Sequence, residues 1–255
     1  MSANGNFASS LNFSALGLFR PGYGYDNFKY RCEDVTPKDD GLFCINLKTD
    51  DMELLVSLYQ LSLKVNKPKQ YNHYINHCSF SPDSKKISFF HVMKHKFNSS
   101  KKIRFCVYDL NSKLNKCVEE ELLISHYCWI DNDNLLLSTR DKYLRWRYKI
   151  YNINNNIISD SEIKFYTDGH PMISPVNKNI FVTDTSYRDK NQNLHLLISN
   201  VKNKTLNKLK SFFIPYAFKG EVRCDLHPRW NWKADKISID ICVNGKREME
   251  IIYLD

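Results

Sequence analysis

His77-Cys-Ser-Phe80-Ser-Pro-Asp83 decides the fold, because the chain repeats this stretch three more times in degenerate form. The copies are His126-Tyr-Cys-Trp129-Ile-Asp-Asn-Asp133, His170-Pro-Met-Ile173-Ser-Pro175 and His227-Pro-Arg-Trp230-Asn-Trp232. In each, an apolar residue follows the histidine by three positions and a turn residue (Ser81, Ile130, Ser174, Asn231) by four. The histidines lie 49, 44 and 57 residues apart, a period of propeller blades rather than of helical arrays. If each copy opens the innermost strand of a blade, His77, His126, His170 and His227 converge near one axis.

Outward from the repeats, the chain reads as short β-branched and aromatic runs punctuated by Asn, Asp, Ser and Pro. After His77 come strand-like runs at 86–92, 103–109 and 116–122; after His126, at 134–138, 147–152 and 157–165. After His170 they fall at 179–183, 194–199 and 206–214. Four strands per period is a propeller blade. The reading is a single all-β propeller domain over residues 1–255, with blades at 74–124, 125–167 and 168–216 and partial blades at 1–60 and 223–255. About five blades are recognisable, which predicts an incomplete circle and an N-terminally shortened form of a longer propeller. Closed, it is expected to be a monomer. Residues 14–41 are expected to be the longest irregular segment, and Pro21-Gly-Tyr-Gly-Tyr25 offers Tyr23 either as a sugar-stacking lip or as plain surface cover.

Composition narrows the partners. An apolar content of 42% with 13% aromatic residues is that of a globular protein rather than a disordered one. Eight glycines are few for so many turns, and Asn and Asp take over that role, as in Asn152-Ile-Asn-Asn-Asn156. A net charge of +9 fits either a solvated basic surface or an acidic glycan ligand. The densest basic run, Lys64-Val-Asn-Lys67-Pro-Lys69, is a poor track for phosphates, so nucleic acid is not expected. None of the eight cysteines forms a CxxC pair, and most lie in apolar strand patterns such as Phe105-Cys106-Val107, where a free thiol acts as a small hydrophobe. That predicts a reducing, cytoplasmic compartment. No run approaches a membrane span, and Met1-Ser-Ala-Asn-Gly-Asn-Phe7 lacks the features of a signal peptide.

Ser79-Phe-Ser-Pro-Asp83 and its copies resemble the TolB-type, WD-like β-propeller repeat. Within that group residues 70–255, with Phe89-Phe-His91 through Arg104 and the repeats at 126, 170 and 227, resemble the oligogalacturonate lyases, a seven-bladed family. The resemblance implies β-elimination on a uronate-containing oligosaccharide, assisted by a divalent ion, usually Mn2+, held by histidines and a glutamine. It places His170 and His227 at metal-ligand positions and Arg104 at that of an arginine proposed to act in proton transfer. Because a guanidinium is hard to deprotonate, we assign Arg104 to carboxylate binding and take His91 or His126 as the base. Two family ligand positions are lost: the glutamine is Cys224 here and a further histidine is Arg229. His77 and His126 are candidate substitutes, and a ligating Cys224 favours Zn2+ over Mn2+. Arg223 and Arg229 suit bidentate binding of a carboxylate.

Plainer readings stand beside these. A histidine ahead of an inner strand also serves as a turn cap bonded to a neighbouring blade, and the whole reads alternatively as a non-catalytic propeller that binds an acidic glycan or a protein partner in surface-polysaccharide metabolism, or as an inactive fragment. Phe80, Trp129, Ile173 and Trp230 read as core; His195 reads as a strand residue facing outward; Asp184 and Asp240 read either as buried partners of axial histidines or as rim acids. No Ser-His-Asp arrangement, phosphate-cradling glycine loop or HExxH helix is apparent.

Overall fold

The computed structural model describes residues 1–25, 33–118, 122–163 and 165–254. The chain is almost all β and divides into two compact units, Met1–Glu119 and Glu120–Asp255. Every sheet is an antiparallel meander whose strands follow chain order. The first unit holds β1 (Phe7–Ser10), β2 (Gly41–Asn46) and β3 (Met52–Ser57) in one sheet. Its second sheet is β4 (Tyr71–Phe80), β5 (Lys86–His95), β6 (Lys101–Asp109) and β7 (Leu114–Cys117). The second unit holds β8 (Leu123–Trp129), β9 (Asn134–Arg140), β10 (Trp146–Asn152) and β11 (Ile157–Asp160). There follow β12 (Met172–Ile173), β13 (Ile180–Asp184), β14 (Asn193–Asn200) and β15 (Thr205–Phe213), then β16 (Arg229–Trp230), β17 (Lys236–Val243) and β18 (Lys246–Tyr253). These blade-like sheets match the expected four-stranded propeller architecture.

The repeat acquires a physical meaning. The turn residue of each copy donates its backbone N–H across the hairpin to the start of the next strand: Ser81 to Lys86, Ile130 to Asn134, Ser174 to Ile180 and Asn231 to Lys236. The apolar slot just before it is buried in all four copies. Trp230 uses its indole as well, donating Nε1–H to the Met172 carbonyl at 3.1 Å and so tying β16 to β12. The second strand of each four-stranded sheet is covered on both faces, which is why it reads as an unbroken apolar run: Phe89-Phe90, Leu135-Leu136-Leu137 and Phe181-Val182 are all between 0 and 2% exposed.

Two expectations are corrected. The segment at 14–41 is not wholly irregular, because Phe13–Phe19 forms a short helix, α1, with the Asn12 side chain accepting from the backbone N–H of Ser14 and Ala15. A second helix, α2 (Leu58–Ser62), begins at a capping box between Ser57 and Gln60. The thiols are not all free: Cys106 and Cys117, opposite each other on β6 and β7, form a disulfide. Among the described residues, Cys44, Cys78, Cys128, Cys224 and Cys242 are free, whereas Cys32 lies outside them.

Candidate metal centre

Three of the four repeated histidines meet in the second unit. His126 is on β8, while His170 and His227 lie just before β12 and β16. Ring centroids are 4.1 Å apart for His126 and His170 and 4.0 Å for His170 and His227. The coincidence of sequence position thus becomes a row of imidazoles, one at the innermost strand of each of this unit's three sheets. His170, His227 and Asp225 each offer a ligand atom, and the three atoms lie within 4.8 Å of one another.

Buried carboxylates back the row. Asp168 accepts from Ser125 Oγ at 2.5 Å, Ser138 Oγ at 2.8 Å, the Gly169 N–H at 2.9 Å and His126 Nδ1 at 3.1 Å. Asp184, at the end of β13 and fully buried, accepts from the His170 N–H at 2.8 Å, from His170 Nδ1 at 2.9 Å and from the His227 N–H at 3.1 Å. Burial alone pushes both carboxyls up, but their partners win: the His170 charge and hydrogen bonds bring Asp184 down to about 2, and His126, Ser125 and Ser138 lower Asp168. His170 is raised, burial being outweighed by Asp184. His227 falls to about 4, from burial and the His170 charge together, with Arg229 adding to both against Asp184 and Asp225. One imidazole of the pair is therefore basic and its neighbour is held neutral.

The route of the chain past this site needs a residue without a side chain. A Cβ on Gly169 would lie 2.3 Å from the Asp184 carbonyl oxygen, 2.6 Å from Thr183 Oγ1 and 3.0 Å from the Tyr148 hydroxyl. Only glycine lets the segment bearing His170 run so close to β13.

Other candidates take different places. Cys224 is buried in the apolar cluster with Leu226 and Trp230, and burial with the neighbouring Cys242 thiol pushes it up to about 12. Its thiol is not among the donor atoms that His170 and His227 share; Asp225, the next residue, offers its carboxylate there instead. Arg223 Nε donates to Asp225 at 2.6 Å, so its first partner is that carboxylate. Arg229 is exposed and donates to the Pro228 carbonyl at 2.8 Å. His77, His91, Arg104 and Tyr23 belong to the first unit. His77 sits at the bulge in β4 with φ 52°, its ring edge-on to Phe90. Arg104 donates to the Leu61 carbonyl at 3.1 Å, and the Arg20 guanidinium stacks over Tyr23 at 3.6 Å.

His91 is fully buried, and one of its ring nitrogens, Nε2, meets His73 Nδ1 at 2.8 Å. Burial, then the charges of His73 and Arg104, hold it well below the ordinary histidine range. Such a site gives a structural hydrogen-bonded pair rather than an accessible base. His73, whose Nε2 meets the Pro68 carbonyl at 3.0 Å, escaped the sequence reading. So did a row of three side chains on the second unit: His195 Nδ1 lies 2.9 Å from Ser211 Oγ, and Nε2 is 3.4 Å from Asp189. His195 and Ser211 are opposite on β14 and β15, partners that cross-strand register brings together and sequence spacing hides.

No protein-family model and no curated protein matches the chain. Solved structures do. An oligogalacturonate lyase in complex with manganese superposes with a TM-score of 0.61 at 16% identity, covering 84% of this chain and 54% of that one. TolB from Acinetobacter baumannii gives 0.52 at 15% identity over 88% of this chain and 47% of that one. The oligogalacturonate lyase of Vibrio parahaemolyticus gives 0.52 at 11% over 83% and 57%. The chain spans about half the length of these structures, and at such identities the likeness is one of fold. This protein therefore has the TolB-type β-propeller fold, in the form shared with the oligogalacturonate lyases.

Proposed function

We propose that the second unit carries a divalent-metal site which binds the carboxylate of a uronate-containing oligosaccharide and supports β-elimination. The observation that carries this reading is the cluster of His170, Asp225 and His227 donor atoms within 4.8 Å. Its chemistry fits Mn2+ or a similar ion, with two imidazoles, one carboxylate and no thiolate. A metal there supplies Lewis acidity to a bound carboxylate, making the proton on the adjacent carbon easier to remove. Arg229, whose charge reaches His227, adds positive charge for an acidic sugar. His126 is the proposed base: Asp168 holds its Nδ1 at 3.1 Å, which leaves Nε2 as the basic nitrogen, in the orientation logic of a hydrogen-bonded His–Asp pair. Base removal of that proton, with departure of the glycosidic oxygen from the neighbouring carbon and its protonation, gives a carbon–carbon double bond in an unsaturated uronate and a new reducing end.

The test is incubation of the protein with oligogalacturonates and Mn2+ while following the ultraviolet absorbance of the unsaturated product. Turnover that a chelator abolishes and Mn2+ restores is expected. No product with any divalent ion ends the catalytic reading. A second reading, metal-free binding of an acidic glycan, draws on Arg223, which already neutralises Asp225 at 2.6 Å. Calorimetry separates the two, since only glycan binding of the second kind survives chelator.

A further inference from the structure

We propose that Asp184 is a positioning residue that dictates which nitrogen of His170 faces the donor cluster and holds His227 in place beside it. The inference rests on the metal reading above and concerns the group behind the site. Asp184 is the one described side chain that bonds both histidines of the cluster: the His170 ring through Nδ1, at 2.9 and 3.0 Å from its two oxygens, and the His227 backbone N–H at 3.1 Å. A carboxylate accepts only, so Nδ1 of His170 must carry the proton, and the lone pair of the neutral ring is on Nε2. The second bond acts on the backbone. His227 adopts φ 42°, a left-handed conformation few non-glycine residues hold without support. Asp184 therefore sets the orientation of one imidazole and the chain path of the other.

Stability alone does not account for a carboxylate in this place. An ionised group with no solvent exposure is expensive, and apolar residues of similar size commonly serve a core at least as well. A carboxylate bonded to the non-coordinating nitrogen of a histidine is instead the usual means of fixing tautomer and raising donor strength. Asp184→Asn separates these roles. The amide keeps the volume but has one oxygen for the three donors that Asp184 serves, the His170 N–H, His170 Nδ1 and the His227 N–H, so its NH2 faces either the His170 side or the His227 N–H. On the His170 side the ring answers by moving its proton to Nε2, which puts an N–H where a lone pair is needed; on the other side His227 loses the bond that supports its left-handed backbone.

The experiment is nitrogen-15 NMR of the histidine rings in metal-free protein at about pH 9, paired with Mn2+ titration of wild type and Asp184→Asn. In wild type, His170 is expected as the Nδ1–H form; in Asp184→Asn either His170 switches to Nε2–H or the His227 ring signals move, and Mn2+ affinity falls about 10- to 100-fold. Wild-type His170 found as the Nε2–H form overturns the proposal without any variant. Unchanged affinity, or ring signals of both His170 and His227 unchanged, in a folded Asp184→Asn protein overturns it as well. If wild type binds neither Mn2+ nor Zn2+ while its His170 is the Nδ1–H form and the His170 or His227 signals still move in Asp184→Asn, the metal reading fails and the control of the two histidines by Asp184 stands.

Discussion

Replacing Gly169 by alanine adds one methyl group at a point where the structure has no room for it. The new carbon would sit 2.3 Å from the Asp184 carbonyl oxygen, about 1 Å inside ordinary contact, with Thr183 Oγ1 at 2.6 Å and the Tyr148 hydroxyl at 3.0 Å. None of these yields cheaply. The carbonyl belongs to the β13–β14 ladder, where Asp184 is opposite Leu196, and Tyr148 and Thr183 are fully buried and bonded to each other at 2.6 Å. Overpacking a core costs about 1–3 kcal/mol, and a clash with fixed backbone belongs at the upper end. At roughly 2–4 °C per kcal/mol for a chain of this size, Gly169→Ala should melt about 6–12 °C below wild type. Differential scanning calorimetry provides the number. A melting temperature within about 2 °C of wild type would show that β13 and the segment before His170 part easily, and the close-approach argument would be refuted.

Three further outcomes follow from other parts of the molecule. The His73–His91 pair is held neutral, both members lowered first by burial, so the unfolded chain takes up protons that the folded one refuses. Stability from this source is complete above about pH 6.5 and declines as pH falls below it, and a His73→Gln, His91→Gln double variant should show a flatter urea midpoint between about pH 7.5 and 5.5; equal slopes count against the pair. Asn12→Ala removes the acceptor for two N–H groups of α1 and a bond to Asp40, and should lower stability by about 1 kcal/mol in denaturant titration. Reduction of Cys106–Cys117, which closes a loop of sequence separation 11, should cost up to about 3 kcal/mol, and a urea midpoint indifferent to reductant would contradict it.

The fold was legible because its signal is local and repeated. An apolar slot, a turn residue and a run covered on both faces recur in each four-stranded sheet, and each has its own hydrogen bond or burial to explain it. The backing of the site was legible only in part. Asp168-Gly-His170 and Asp225-Leu-His227 are a repeated Asp-x-His pattern, and residues two apart on an extended chain share a face, so both acids were open to discovery. What the pattern does not reveal is their different use: Asp225 is turned to the cluster, whereas Asp168 bonds His126 of the preceding sheet. His73 with His91, and Ser211 with His195, are brought together by strand pairing, which no spacing along the chain announces. Cys224 misled for the opposite reason, since its alignment with a ligand position says nothing of the apolar cluster that claims its thiol.

The left-handed backbone at His77 and His227, with φ of 52° and 42°, bears on how these residues should be probed. Histidine, asparagine and aspartate tolerate that conformation better than alanine does. An alanine scan would therefore delete an imidazole and unsettle the main chain in one stroke, and a lost activity would have two explanations. Asparagine is the cleaner substitute, since it removes the ring nitrogens from their place while letting the peptide keep its course.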